Sequence, residues 1–229
     1  MKNEQAVSFV VAIDGPAGAG KSTTARRVAE RLGASYLDTG ALYRCLALQA
    51  VENGIALDDA RRLAELARSL DVGFGAGSET TVRLGARDVT AAIRTPEVSQ
   101  AASRVSALPE VRGALVDLQR RAARAPGTVA EGRDMGTVIF PNAQLKVFLD
   151  ADIDERARRR AEDLGGAGRP GAIDEVRSQI SERDARDAGR AVAPLKPAAD
   201  AVVIDTTGLG IEGVVERIIA EARSRGIGK

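Results

Sequence analysis

Short uninterrupted apolar runs recur along this chain between longer stretches in which apolar residues return every three or four positions. Phe9-Val10-Val11-Ala12-Ile13 is such a run, interrupted by Asp14. Tyr36-Leu37, Thr128-Val129-Ala130-Glu131, Leu145 to Asp150 and Val202 to Asp205 read as further, largely apolar core strands. Runs of this kind, with no polar face, predict strands buried on both sides of a parallel sheet. Between them, Ala25, Val28, Ala29 and Leu32 fall on one helical face, as do Leu42, Cys45, Leu46 and Val51 before Gly54. Helices are also predicted around Arg156–Arg160, over a segment ending in residues 181–190, and from Ile211 to Arg225. Thr95-Pro96 and Leu108-Pro109 mark two further helix starts, with proline at the first helical position. Pro126-Gly127 turns the chain back towards the core.

Residues 72–89 change period. Val72, Phe74, Val82, Leu84 and Val89 alternate around the turns Gly75-Ala76-Gly77-Ser78 and Gly85-Ala86-Arg87-Asp88, which predicts a small antiparallel sheet apart from the main one. The expected fold is therefore α/β: a five-stranded parallel sheet flanked by helices, with a small antiparallel β insert and a helical excursion.

Composition narrows the chemistry. The 229 residues suit one compact domain with excursions, and with 44 % apolar residues, six aromatics and no Trp the core must be built from Ala, Val, Leu and Ile. With 33 basic and 32 acidic residues, a general nucleic-acid coat is not expected. Arginine outnumbers lysine 28 to 5. Biased genome composition would explain that, and so would repeated bidentate contact with phosphates or carboxylates, so the placement of the arginines has to decide. There is no histidine, which removes histidine-based triads and zinc sites, and the single Cys45 reads as a small core residue. No apolar run reaches membrane-spanning length, and the first is too short for a signal peptide. A cytoplasmic protein is expected, and the near-zero charge without an apolar patch leans towards a monomer.

The first apolar run leads into Gly15-Pro16-Ala17-Gly18-Ala19-Gly20-Lys21-Ser22, which matches the G-x-x-x-x-G-K-[ST] phosphate loop in the required order of strand, loop and helix. From this chain's composition, an accidental match arises in about one such chain in two hundred. Glycines let backbone N–H groups converge on phosphate oxygens, and the helix start adds unpaired donors and the positive end of its dipole. Lys21 can follow the β- and γ-phosphates, and the Ser22 hydroxyl can hold Mg²⁺ or its water shell. Asp38, Glu131, Asp150 and Asp205 fall at strand carboxyl ends, where such sheets bind ligands, and one or two of them are candidates to hold magnesium's waters.

Arg44 lies early in its helix, where the dipole disfavours a cation, and reads either as a solvated arginine or as one that holds an anion against the helix start. Arg156, Arg158, Arg159 and Arg160 read as a solvated helix face when taken alone. Arg183, Arg186 and Arg190 have the spacing to share one helical face, with Asp184 and Asp187 as local partners. Phosphoryl transfer has a use for aimed cations, because like charges ~4 Å apart repel by about 4 kcal/mol at an effective dielectric of 20. The breaker-rich tract 165–171 between the two helices reads as the hinge of a lid that excludes water, which favours a kinase over an ATPase.

Asp38-Thr39-Gly40-Ala41-Leu42-Tyr43-Arg44, Glu131-Gly132-Arg133-Asp134-Met135-Gly136-Thr137 and Glu182-Arg183-Asp184-Ala185-Arg186-Asp187, following the phosphate loop in this order, resemble the bacterial cytidylate kinases. Ile93 to Val98 and Ala193 to Asp200 are similar to the same family. The likeness runs from about residue 8 to 225. It implies a transferase that moves the γ-phosphoryl group of ATP to CMP or dCMP with Mg²⁺. It implies a core over 1–64, a monophosphate-binding region over 65–125, core strands over 126–150, a lid over 151–192 and a closing core segment over 193–229.

By matching positions, Gly15, Pro16, Ala17, Gly18, Ala19, Gly20, Lys21, Ser22 and Thr23 would hold ATP, with Ser22 on the metal. Lys21, Arg44 and Arg133 would surround the acceptor phosphate, while Arg183 and Arg190 would reach the transferring group. Asp187 would meet the acceptor sugar, and Ser103, Arg112 and Asp134 the cytosine. A carboxylate and a guanidinium complement the N4 donor and the N3 and O2 acceptors of cytosine, whereas uracil sets an oxygen against Asp134. A kinase acting on UMP, AMP or a non-nucleotide acceptor would share the Lys21 chemistry. A GTP-dependent switch is the reading from another class; Asp205-Thr206-Thr207-Gly208 fits a loose D-x-x-G pattern, but no N-K-x-D motif accompanies it.

Overall fold

The apolar runs become the strands of one sheet. The computed structural model describes residues 8–75, 81–165 and 171–228. Strands β1 (Phe9–Asp14), β2 (Ser35–Asp38), β6 (Gly127–Gly132), β7 (Leu145–Asp150) and β8 (Val202–Asp205) line up in the order β2-β6-β1-β7-β8. β1 pairs in parallel with both β6 and β7, and β7 with β8. The central position of β1 explains its unbroken apolar character, since Val11, Ala12 and Ile13 are fully buried. Register places Asp14 opposite Gly132 and Asp150 opposite Asp205, so the strands end together along one edge.

Two compact units divide the chain. The first comprises Met1–Tyr36 and Arg124–Lys229 and contains most of the sheet. Its core joins Val11, Ile13, Val129, Leu145, Val147, Leu149 and Ile204 of the strands to Ala25, Val28 and Ala29 of α1 (Lys21–Leu32) and to Val214, Val215, Ile218 and Ile219 of α8 (Ile211–Ser224). α1 ends at Gly33, whose left-handed conformation lets its N–H reach the carbonyls of Ala29 and Glu30. Helices α6 (Ile153–Asp163) and α7 (Ala172–Ala188) pack on each other through Ala157, Ala161, Val176 and Ile180. The tract 165–171 expected to hinge them lies, apart from its two end glycines, outside the described residues, as do most of the residues of the turn expected at 75–78.

The second unit, Leu37–Ala123, holds α2 (Thr39–Glu52), α3 (Ala60–Arg68), α4 (Pro96–Val105) and α5 (Pro109–Arg121) around Leu46, Leu63, Ile93, Val105 and Leu115. Both expected prolines sit at helix starts, and Thr95 caps α4 by accepting the N–H of Val98. The small antiparallel sheet is present as β3 (Val72–Phe74), β4 (Val82–Leu84) and β5 (Arg87–Asp88). Helix α3 was not anticipated by the apolar pattern. It is nine residues long, and its buried Leu63, Ala64 and Ala67 do recur at helical spacing, a short local signal that the reading of the apolar pattern passed over. Asp59 starts it by accepting the N–H of Arg62.

Leu63 is fully buried on that helix. Leu63→Ala is expected to lower stability by about 3 kcal/mol, read by denaturant unfolding, because the cavity is enclosed by the second unit's core. A loss below about 1 kcal/mol would show that α3 contributes little to that core.

Candidate active site

The phosphate loop runs from the end of β1 to the start of α1. Gly15 has φ +149°, and a Cβ there would lie 2.0 Å from the carbonyl oxygen of Leu149. Gly18 has φ +78°, and a Cβ would meet the backbone of Arg156 at 2.7 Å. Side chains are excluded at both places by main chain that has nowhere to move, so the loop's course depends on glycine. Arg156, buried on α6, then grips the loop: its Nη1 donates to the Ala17 carbonyl at 3.1 Å and its Nε to the Ala151 carbonyl at 2.9 Å. The same guanidinium pairs with Asp184 of α7.

Lys21 opens α1 and is buried, its Nζ donating to the Pro16 carbonyl at 2.6 Å. Burial, and then the nearby Arg133 and Arg183, push its pKa down to about 7, while Glu131 and Asp14 pull the other way. An anion placed beside it would shift it back towards the charged form. Ser22 and Thr23 follow it on the exposed side of α1's first turn.

Asp187 sits near the end of α7, fully buried, and organises the arginines. Arg133 donates through Nε to its Oδ2 at 2.9 Å, Arg190 pairs with its Oδ1, and Nε of Arg183 lies 3.9 Å from Oδ2. Burial works against ionisation of Asp187, but Arg133, Arg190 and Arg183 together hold its carboxyl below the ordinary carboxylate value. Residues distant in sequence, Arg133 after β6 and the α7 group, therefore meet on one carboxylate.

The arginine runs resolve differently from their spacing. Arg158 makes the solvated intrahelical pairs expected of the run, with Glu155 and Glu162, and Arg159 shares Glu155. Arg156 turns to the phosphate loop, and Arg159 donates to the carbonyl and hydroxyl of Thr206. Arg190 lies beyond the helix end at Gly189, and Arg186 is exposed, so the shared helical face predicted for Arg183, Arg186 and Arg190 does not form. Arg183 and Arg190 meet instead because Asp187 lies between them.

The carboxylates at the strand ends also separate. Glu131 is buried and accepts the Tyr36 hydroxyl. Asp150 and Asp205 accept nearby backbone N–H groups, from Ala151 and Thr207. Asp38 caps α2 by accepting the N–H of Ala41. The buried carboxylate passed over by the strand reading is Asp14, which accepts the N–H groups of Met135 and Gly136, each at 2.8 Å. Burial drives its pKa up to about 6 against those two hydrogen bonds. Its only sequence signal was a charge ending an apolar run. Asp134, immediately before those two residues, is itself buried.

In the second unit, Arg44 pairs with Asp38 at 2.6 Å, so a carboxylate occupies the position of the anion expected beside that helix start. Arg112 is buried on α5, 5.6 Å from the ring centroid of Tyr43, and donates to the Ser106 carbonyl. Ser106 in turn donates to the carbonyl of Ser103, whose own buried hydroxyl has no hydrogen-bond partner among the described residues. Cys45 is a core residue, its thiol pushed up to about 12 chiefly by burial. No helix of the described residues is long and apolar enough to cross a membrane.

Lys21 also makes a prediction about stability. Between pH 7 and the ordinary lysine value of 10.5 the unfolded chain binds this proton and the folded one releases it, so stability rises with pH across that window. Lys21→Met is expected to raise the Tm of the nucleotide-free protein at pH 7 by a few degrees, with the gain shrinking towards pH 10, while turnover falls by orders of magnitude. Thermal unfolding of both proteins across this pH range, beside a turnover assay, checks it.

Known proteins resemble this chain over nearly its whole length. The family model described as cytidylate kinase matches residues 11–224. A cytidylate kinase of Pasteurella multocida is 49 % identical over 213 residues, covering 93 % of this chain and 94 % of the relative. One from a Marinomonas species is 50 % identical over 220 residues, covering 95 % and 97 %. Among solved structures, an uncharacterized protein from Eubacterium ventriosum has the same fold, with a TM-score of 0.54 at 13 % identity over 95 % of this chain and 99 % of that one. The chain belongs to the cytidylate kinase family.

Proposed function

We propose that the residues gathered in the first unit transfer the γ-phosphoryl group of ATP to CMP or dCMP, giving ADP and CDP or dCDP. The observation that carries this is the meeting of Arg133, Arg183 and Arg190 on Asp187, with Arg133 and Arg183 also acting on the buried Lys21. Three guanidiniums gathered on one carboxylate beside Lys21 suit two anionic substrates and the charge that moves between them.

In this reading the backbone N–H groups from Gly15 to Gly20 and the first turn of α1, with Ser22 and Thr23, cradle the phosphates of ATP. Lys21 exchanges the Pro16 carbonyl for the β- and γ-phosphates. Arg44 and Arg133 hold the acceptor phosphate, and Arg183 and Arg190 neutralise the transferring group. Asp187 keeps them aimed and uses its remaining lone pairs for the acceptor sugar. Ser103, Arg112 and Asp134 read the cytosine; the partnerless buried hydroxyl of Ser103 suits a residue that awaits a ligand. Residues 151–192 act as a lid that keeps water from competing for the phosphoryl group.

The donor set also fits magnesium that arrives on the nucleotide. Among the described residues no three acidic or thiol ligands cluster, whereas the Ser22 side chain stands exposed on the first turn of α1. Ser22 would hold Mg²⁺, whose charge would offset that of the nucleotide phosphates. No side chain is needed as a strong general base, because positioning and charge carry this reaction.

An ADP-release assay with ATP, Mg²⁺ and each of CMP, dCMP, UMP, AMP and GMP tests the reading. Turnover largely confined to CMP and dCMP is expected; turnover with another acceptor would keep the kinase chemistry and discard the cytosine pocket. Arg183→Ala is expected to lower kcat by about two orders of magnitude with little change in KM. A pure KM effect would remove Arg183 from the transition state. Asp134→Ala should reduce the CMP-over-UMP ratio in kcat/KM by about tenfold or more, and an unchanged ratio would contradict its base-reading role.

A further inference from the structure

Asp14 has no place in the mechanism above, although it is a buried carboxylate one residue before the phosphate loop. Its two oxygens take different donors: Oδ1 accepts the N–H of Met135 and Oδ2 that of Gly136. These N–H groups open a wide helical turn, Met135–Ile139, whose own hydrogen bonds begin at Val138, Ile139 and Phe140 and run back to the carbonyls of Asp134 and Met135. The first donors of the turn therefore look outwards for an acceptor. A Ser, Thr or Asn ahead of the turn would ordinarily supply one. Here the acceptor comes from the central strand, 121 positions away in the chain.

The opposite side of the segment is also fixed. Gly136 lies on the aliphatic stem of Lys146 from β7, so closely that a Cβ would stand 3.2 Å from its Cγ and Cδ. The head of Lys146 is tied to Asp200 at 2.9 Å, which limits how far the stem can retreat. Residues 135 and 136 are thus clamped between a β1 carboxylate and a β7 side chain. Arg133 and Asp134 come immediately before the clamp and inherit its position. Capping alone does not require this arrangement, since a neutral acceptor would satisfy a donor without burying a charge. A two-pronged carboxylate does more, because it sets the orientation of two successive peptide planes.

We propose that Asp14 is a positioning residue for acceptor recognition. Its hold on Met135 and Gly136 places Asp134 for the cytosine base and ties that placement to the strand that carries the phosphate loop. The inference rests on the base-reading role of Asp134 given above.

The test is steady-state kinetics on the full chain with ATP and either CMP or UMP, for the wild type, Asp14→Asn and Asp14→Ala. The wild type is measured first; if it shows no preference for CMP, the base-reading role fails, and this inference falls with it. Given that preference, both variants are expected to raise KM for CMP and to lower the CMP-over-UMP ratio in kcat/KM by about tenfold, while KM for ATP moves by less than about threefold. A ratio that stays at the wild-type value overturns the proposal while leaving the base-reading role of Asp134 intact. So does an equal rise in KM for ATP and CMP, which is what a merely structural residue would produce. If neither variant folds, amide hydrogen exchange on the nucleotide-free wild type decides. Met135 and Gly136 amides protected as well as those of β6 support the clamp, and rapid exchange at both overturns it.

Discussion

Repulsion between like charges is the constraint around which the first unit is built. A lysine and three arginines are held in one region of the unit, where each raises the cost of charging the others. A group of free cations would splay apart towards water. Asp187 prevents this by lying fully buried with both oxygens engaged. Its own burial is unfavourable and is offset by the same arginines that it restrains. The balance remains incomplete at Lys21, whose burial and cationic neighbours lower its proton affinity until an anion is supplied.

The sheet makes that concentration of charge possible. Parallel strands send their carboxyl ends to one edge, so the phosphate loop after β1 and the Arg133 segment after β6 come out side by side. Close backbone approach at Gly15 and Gly18 then fits the loop against β7 and α6. Arg156 connects three parts through one guanidinium: the loop at Ala17, the end of β7 at Ala151 and helix α7 at Asp184. The helix that carries Asp187 and Arg183 is therefore mechanically linked to the phosphate loop, and the linkage is made of charge-assisted hydrogen bonds rather than apolar packing.

Much of the fold could be read along the chain because its signals are local. β1 and β8 are continuous apolar runs, and the prolines and Thr95 announce α4 and α5. Helix α3 was equally legible, since Leu63, Ala64 and Ala67 recur at helical spacing, but it is only nine residues long and was passed over. The phosphate loop was legible for the same local reason, since glycine spacing and Lys21 state its chemistry directly. Arg156 and Arg159 were read as part of a solvated face, as their neighbour Arg158 is. Nothing in a run of arginines says which will find a carbonyl at the far end of the sheet. Asp14 was read only as the end of a strand.

By itself the sequence determined the α/β architecture, the phosphate loop and the family, because period, turn chemistry and motif order are properties of neighbouring residues. Tertiary structure alone decided the pairings. It brought Arg133, Arg183 and Arg190 to Asp187, left Arg186 in solvent, and set Asp14 under the N–H groups of Met135 and Gly136. The physical reason is that a charge or a donor is specified by its residue, whereas the partner that satisfies it is specified by which strand ends and helix ends the packed core brings together.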